Sequence, residues 1–134
     1  MALIYEEQSY AILGSCFEVY SAMGSGFLES VYQECLSLEF TARGVPFVAR
    51  LPLQLSYKQQ RLTQQFQPDF VCYEQIVVEI KAVRDLADAH RAQLHNYLKA
   101  TGLQLGMLIN FGHDPRLEFE RVVRSADTAA YISG

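Results

Sequence analysis

The chain has 134 residues, half of them hydrophobic and 19% charged, which is enough for one domain around one core and too apolar for a disordered chain. A formal net charge of -4 and a pI near 5.3 argue against a large basic surface gripping nucleic acid, though not against a small basic patch beside an acidic cleft whose charge a cation offsets. No apolar run reaches the roughly 18 residues of a membrane span, MALIYEEQSY lacks the features of a secretory signal, and the widely spaced Cys16, Cys35 and Cys72 fit free thiols in a reducing cytoplasm better than a zinc or disulfide pattern.

In chain order, apolar residues recur at helical spacing from Glu7 to Met23, through Ile12, Cys16, Phe17 and Tyr20. Gly24-Ser25-Gly26 breaks that pattern, and a second helix is expected from Phe27 to Arg43, stopped by Gly44. The period then changes to two. Phe47 to Tyr57 reads as a strand with Pro46 and Pro52 marking an edge or bulge, Arg61 to Tyr73 as a second strand, and Ile76 to Val83 as a third. A long helix follows from Leu86 to Thr101, with Asp85 as N-cap and Gly102 past its end. Leu103 to Phe111 is an apolar strand, and Leu117 to Val123 can form a last one. The order α-α-β-β-β-α-β, with that optional final strand, predicts a single α/β domain over 1–134. In it a mixed β-sheet is flanked by helices, and the long helix serves as a parallel crossover.

Charged residues interrupt this core pattern. Glu79 and Lys81 share one face of a strand whose other face carries Val78 and Ile80. Either they form an ion pair facing solvent, or the carboxylate has a partner or a cation. Asp69 decides between these through the hairpin. A two-residue loop at Glu74-Gln75 would set Asp69 opposite Ile80, on the wrong face. A loop of three residues, or a bulge, sets it opposite Glu79. Two adjacent carboxylates repel unless one is protonated or a cation lies between them, and hard oxygen donors suit Mg²⁺ or Mn²⁺. The odd register is therefore predicted. At 100° per residue, Leu86, His90, Gln93, Leu94 and Tyr97 share a helix face, which places Gln93 in the buried stripe, or satisfying a backbone group there. Glu29 lies at the edge of its helix's apolar face and also suits the dipole of the first turn. Glu39 is expected to pair with Arg43 at i+4.

Taken together, Pro68-Asp69, ten residues, then Glu79-Ile80-Lys81 resembles the signature of the PD-(D/E)xK nuclease superfamily, which has the restriction-endonuclease-like fold. GFLESVY, from Gly26 to Tyr32, resembles the motif that names the GxxExxY proteins within it. AQLHNYL resembles the helix after the nuclease core, and GMLINFG the next strand of the GxxExxY group. The hairpin VCYEQIVV departs from the usual pattern by lacking an Asn or Gly turn.

The resemblance implies a Mg²⁺- or Mn²⁺-dependent phosphodiesterase acting on DNA or RNA. In it Asp69, Glu79, the Ile80 carbonyl and Glu29 would hold the ion, Lys81 would orient the attacking water and contact the phosphate, and Gln93 would position the water or a phosphate oxygen. Tyr97 would support Gln93, with Arg84, Arg91 and Lys99 available for the nucleic-acid backbone or simply solvated. A homodimer is compatible with so small a nuclease. Two rival readings are a non-catalytic module that keeps the fold and binds nucleic acid or protein, and a structural or oligomerising domain whose polar residues satisfy one another.

Overall fold

The computed structural model describes residues 4–124. Helix α1 (Glu6–Met23) and helix α2 (Glu29–Arg43) open the chain, followed by β1 (Phe47–Ala49), β2 (Leu53–Tyr57), β3 (Gln60–Phe66), β4 (Phe70–Cys72) and β5 (Ile76–Lys81). Helix α3 (Asp88–Thr101) then leads to β6 (Leu105–Asn110) and β7 (Glu118–Val123), so the final strand forms. Five strands make one sheet in the order β1-β4-β5-β6-β7, with β5 and β6 parallel and the other neighbours antiparallel. Strands β2 and β3 form a separate antiparallel ribbon.

The two long strands expected from Phe47 to Tyr57 and from Arg61 to Tyr73 are thus each divided. The first breaks at Arg50, which adopts φ 55°, ahead of Pro52. The second breaks at Gln67-Pro68-Asp69, where proline has no N–H to give a ladder. Each break lets one long hairpin serve two sheets. Helix α3 begins at Asp88 rather than Leu86, with Ala87 and not Asp85 as its N-cap residue, and the Ala87 N–H is accepted by His90 Nδ1 at 3.0 Å.

Alternation along the strands creates two cores. Ile76, Val78 and Ile80 of β5 join Leu105, Met107 and Ile109 of β6 against Ile12, Cys16 and Val19 of α1 and Tyr32, Leu36 and Phe40 of α2. On the opposite face Val77 and Leu108 meet Leu94 and Leu98 of α3 and Phe66 of the ribbon. Full burial of each such aliphatic or aromatic side chain stabilises the fold by about 1.5–3 kcal/mol. Gly106 lets α3 sit close, since a Cβ there would lie 2.8 Å from Leu94 Cδ2. No helix among the described residues is long and apolar enough to cross a membrane.

Candidate active site

The hairpin register fixes the first part of the site. Phe70 pairs with Val78, Val71 with Val77 and Cys72 with Ile76. Tyr73, Glu74 and Gln75 therefore form a three-residue loop, and Asp69 falls opposite Glu79, as the odd register requires. Tyr73 and Glu74 achieve this turn with φ of 55° and 62°, without the Asn or Gly that usually takes such angles. The Gln75 N–H closes it on the Cys72 carbonyl at 3.1 Å.

Asp69 and Glu79 hold one another through the backbone. The Asp69 N–H donates to Glu79 Oε1 at 2.9 Å, and the Ile80 N–H donates to Asp69 Oδ2 at 2.8 Å. Each carboxylate thereby spends one oxygen on orientation and keeps the other for a ligand. The Ile80 carbonyl points toward the β4 side for a topological reason. Lys81 turns its carbonyl to β6, where it accepts the Phe111 N–H at 2.8 Å, so Ile80 faces the β4 side. Continued past Phe70, the register would set Ile80 against Pro68, which has no N–H to offer. Two carboxylates and a carbonyl are hard oxygens, of a kind that could hold a divalent cation such as Mg²⁺ or Mn²⁺.

The electrostatics express the crowding. Burial, and then the Asp69 charge, push the Glu79 carboxyl up from 4.5 to about 7, against the Asp69 N–H bond and the Lys81 charge. Asp69 is also raised, chiefly by burial, against the opposing Ile80 N–H bond; Glu29 adds to the rise while Lys81 and Arg50 reduce it. Glu29 and Lys81 therefore act on both carboxylates, and Arg50 on Asp69.

Motif residues in α2 position Glu29. Gly26 takes φ 113°, a conformation that disfavours any side chain. Tyr32, fully buried, accepts the Phe27 N–H at 3.2 Å, donates to the Gly24 carbonyl, and stacks on Phe111 at 4.6 Å between ring centroids. The turn that delivers Glu29 as the first residue of α2 is thereby clamped at both ends. Glu39 pairs with Arg43 at 2.6 Å, as expected.

Other residues fall elsewhere. Gln93 is exposed, not part of the buried stripe; Leu94, expected there, is buried with Leu98 in a cluster with Val77, Leu108 and Val122 of the sheet and Phe66 of the ribbon. The Tyr97 ring is stacked on Phe66 at 3.7 Å between centroids. Arg91 is bound to Glu120 at 2.6 Å and to Asp88 at 3.0 Å. Arg84 is almost wholly exposed, 4.0 Å from Asp85, and Lys99 is exposed.

Sequence reasoning missed Asn110, which is fully buried. Its Oδ1 accepts the Val83 and Gly112 N–H groups, each at 3.0 Å, and its Nδ2 donates to Glu118 at 2.9 Å. Since Asn110 pairs in register with Lys81, it fixes the strand end from which Lys81 projects. An asparagine closing the otherwise apolar run GMLIN was the available signal. Also missed was the grouping of Asp85, His113 and Glu118, the one set of three such residues among those described whose ligand atoms all lie within 4.8 Å of one another and could hold a metal. The oxygens of Glu29, Asp69 and Glu79 are not gathered so tightly.

A model of the PD-(D/E)XK nuclease superfamily matches residues 6–122. The chain belongs to this superfamily. Its members usually use divalent metals, and their substrates are nucleic acids. The chain is similar in structure to an alkaline exonuclease (LHK-Exo) from Laribacter hongkongensis, with a TM-score of 0.54 and 12% identity over 99% of this chain and 77% of that one. It is also similar to the crystal structure of SSO0001, with a TM-score of 0.50 and 16% identity over 94% and 70%. At such identities the likeness is one of fold. No curated protein matches the sequence. Of the residues that resemble the superfamily signature, Pro68-Asp69 lead into β4 and Glu79-Ile80-Lys81 end β5 beside them.

Proposed function

We propose that this chain is a divalent-metal-dependent nuclease of the GxxExxY group, hydrolysing phosphodiester bonds in DNA or RNA. The observation that carries the reading is the Asp69–Glu79 pair, set face to face by the three-residue loop with Lys81 on the same side of β5. Asp69, Glu79 and the Ile80 carbonyl would hold Mg²⁺ or Mn²⁺, with Glu29 directly or through water. The ion would make a bound water more acidic and offset charge building on the phosphate. Lys81 orients the attacking water and contacts a phosphate oxygen. Gln93, exposed on α3, is free to meet the substrate, and Tyr97 holds that helix to the ribbon. Arg84 and Lys99 remain available to the nucleic-acid backbone, whereas Arg91 must leave Glu120 to contribute.

The three free cysteines support a reducing, cytoplasmic setting. The test is a cleavage screen over single- and double-stranded DNA and RNA with Mg²⁺ or Mn²⁺, with metal binding followed by titration calorimetry. Asp69→Asn and Lys81→Ala are expected to abolish cleavage while leaving the fold intact, and Asp69→Asn to abolish metal binding as well. Metal binding without cleavage of any substrate would instead establish a binding module. Equal cleavage by either variant and wild type would remove the catalytic assignment.

A further inference from the structure

Among the arginines, Arg50 is set apart by its place beside Asp69. Arg43, Arg84 and Arg91 lie beside carboxylates, and Arg121 and Arg124 donate to the carbonyls of Ile4 and Gly102. Arg50 has no carboxylate partner among the described residues; its guanidinium donates to the neutral Gln33 Oε1 at 2.7 Å. Its position is held at a cost, because a non-glycine residue at φ 55° is strained, and such strain persists where surroundings enforce it. The enforcing contact is with the site itself: the Arg50 N–H donates to the Asp69 carbonyl at 3.2 Å. The side chain is exposed, and its charge reaches the Asp69 carboxylate. Beside it an open groove runs along α2, lined by Ser30, Gln33 and Ser37, with Glu34 the one acid in it. Ser30 follows Glu29 directly in the chain, so one end of the groove's lining adjoins that acid.

We infer that Arg50 is a substrate-positioning residue that grips a nucleic-acid phosphate neighbouring the scissile one and guides the strand into the groove along α2. This rests on the nuclease reading above. A guanidinium already tethered by an uncharged amide loses little freedom on binding and offers its remaining N–H donors to phosphate oxygens. It also supplies positive charge where an acidic site would otherwise repel the strand. Glu34 sets the limit of the grip, because a phosphate is favoured at the Arg50 end and disfavoured beside that carboxylate.

The test uses short fluorescein-labelled oligonucleotides, single- and double-stranded, of DNA and RNA. KM and kcat are measured with Mg²⁺ as salt rises from about 50 to 200 mM. Arg50→Gly is the decisive variant because glycine takes φ 55° without strain, so it should melt no lower than wild type. It is expected to raise KM about tenfold, change kcat less than about threefold, and lower the salt slope by about one. Arg50→Lys should keep the slope while raising KM, and Gln33→Leu should keep the slope because the charge remains. A purely structural Arg50 would show in the melting temperature and leave the slope unchanged. If wild type cleaves and Arg50→Gly matches its KM and slope, the inference is overturned and the nuclease reading stands. If wild type neither binds nor cleaves any probe, both fall.

Discussion

Replacing Glu79 with glutamine should make the metal-free protein more stable at pH 8 and, on the nuclease reading proposed above, abolish cleavage. In the folded chain the Glu79 carboxyl titrates at about 7 rather than 4.5, because burial and then the Asp69 charge oppose its ionisation. The native state therefore binds more protons than the unfolded chain between these values. Its contribution to stability is fully present below about pH 4.5 and is lost as pH rises through 7. At about 1.4 kcal/mol per tenfold change in proton affinity, the loss by pH 8 is on the order of 3 kcal/mol. Glutamine has no proton to lose, and its Oε1 can still accept the Asp69 N–H. A domain of 134 residues unfolds with an entropy of roughly 0.28 kcal/mol/K, so 3 kcal/mol corresponds to about 10 °C. Thermal unfolding in EDTA should thus show wild type melting lower by several degrees at pH 8 than at pH 5 relative to Glu79→Gln, with the two nearly equal at pH 5. Mn²⁺ should reverse the wild-type loss, since a cation favours the ionised pair, and leave the variant almost unaffected. A wild-type melting temperature flat from pH 5 to 8, or a variant that follows the wild-type slope, would refute the argument that these two carboxylates confront each other.

Three further variants probe the frame. Lys58 and Gln59 form the β2–β3 turn at φ 47° and 67°; Asn-Gly there should stabilise by about 1 kcal/mol in chemical denaturation. Gly112→Ala would drive a Cβ to 2.4 Å from the Val83 carbonyl oxygen, and backbone cannot yield as a side chain can. It should cost on the order of 3 kcal/mol and lower activity by shifting the strand end that carries Lys81. Tyr32→Phe removes the hydroxyl that joins Gly24 to Phe27. It should cost about 1–2 kcal/mol and, if Glu29 serves the site, lower the metal affinity measured by calorimetry as well.

The helices were legible because helical spacing is a short-range count, and the face-to-face carboxylates because two acids placed there call for a shared partner, which favoured the three-residue loop over the two-residue one. Loop parity alone decides which face Asp69 takes, and helical spacing identifies Ile12, Cys16, Tyr32 and Leu36 as core. The strand breaks were not legible, because alternation continues through Arg50 and through Gln67-Pro68-Asp69 while the backbone leaves the sheet. Proline marked both regions, but periodicity does not tell a bulge from a change of sheet. Gln93 was misjudged for a related reason. The stripe on α3 is set by what covers it, and the polar ribbon whose Phe66 packs on Tyr97 has no sequence signal tying it to that helix. Asn110 and Arg50 act through backbone groups distant in sequence, Val83 and Asp69, and no local pattern reports such bonds.

Two groupings of acidic side chains could hold a cation, and hydrogen-bond accounting distinguishes them. In the Asp85–His113–Glu118 group, Glu118 Oε1 already accepts the Leu86 N–H at 3.0 Å and Asn110 Nδ2 at 2.9 Å, and His113 Nδ1 lies 3.0 Å from the Arg84 carbonyl. Burial pushes Glu118 up, but those bonds and the His113 and Arg91 charges outweigh it, leaving its carboxyl below the ordinary value. An acid so satisfied gains little from an ion, and the group serves as a brace between the loop before α3 and the one before β7. Asp69 and Glu79 are both raised instead, with one oxygen each uncommitted and a carbonyl that Pro68 cannot serve. The free energy a cation releases is greatest where carboxylates repel and least where they are already paired. On the nuclease reading proposed above, the looser cluster is expected to bind the ion more tightly, and titration calorimetry with Asp69→Asn and Asp85→Asn should show only the first losing it.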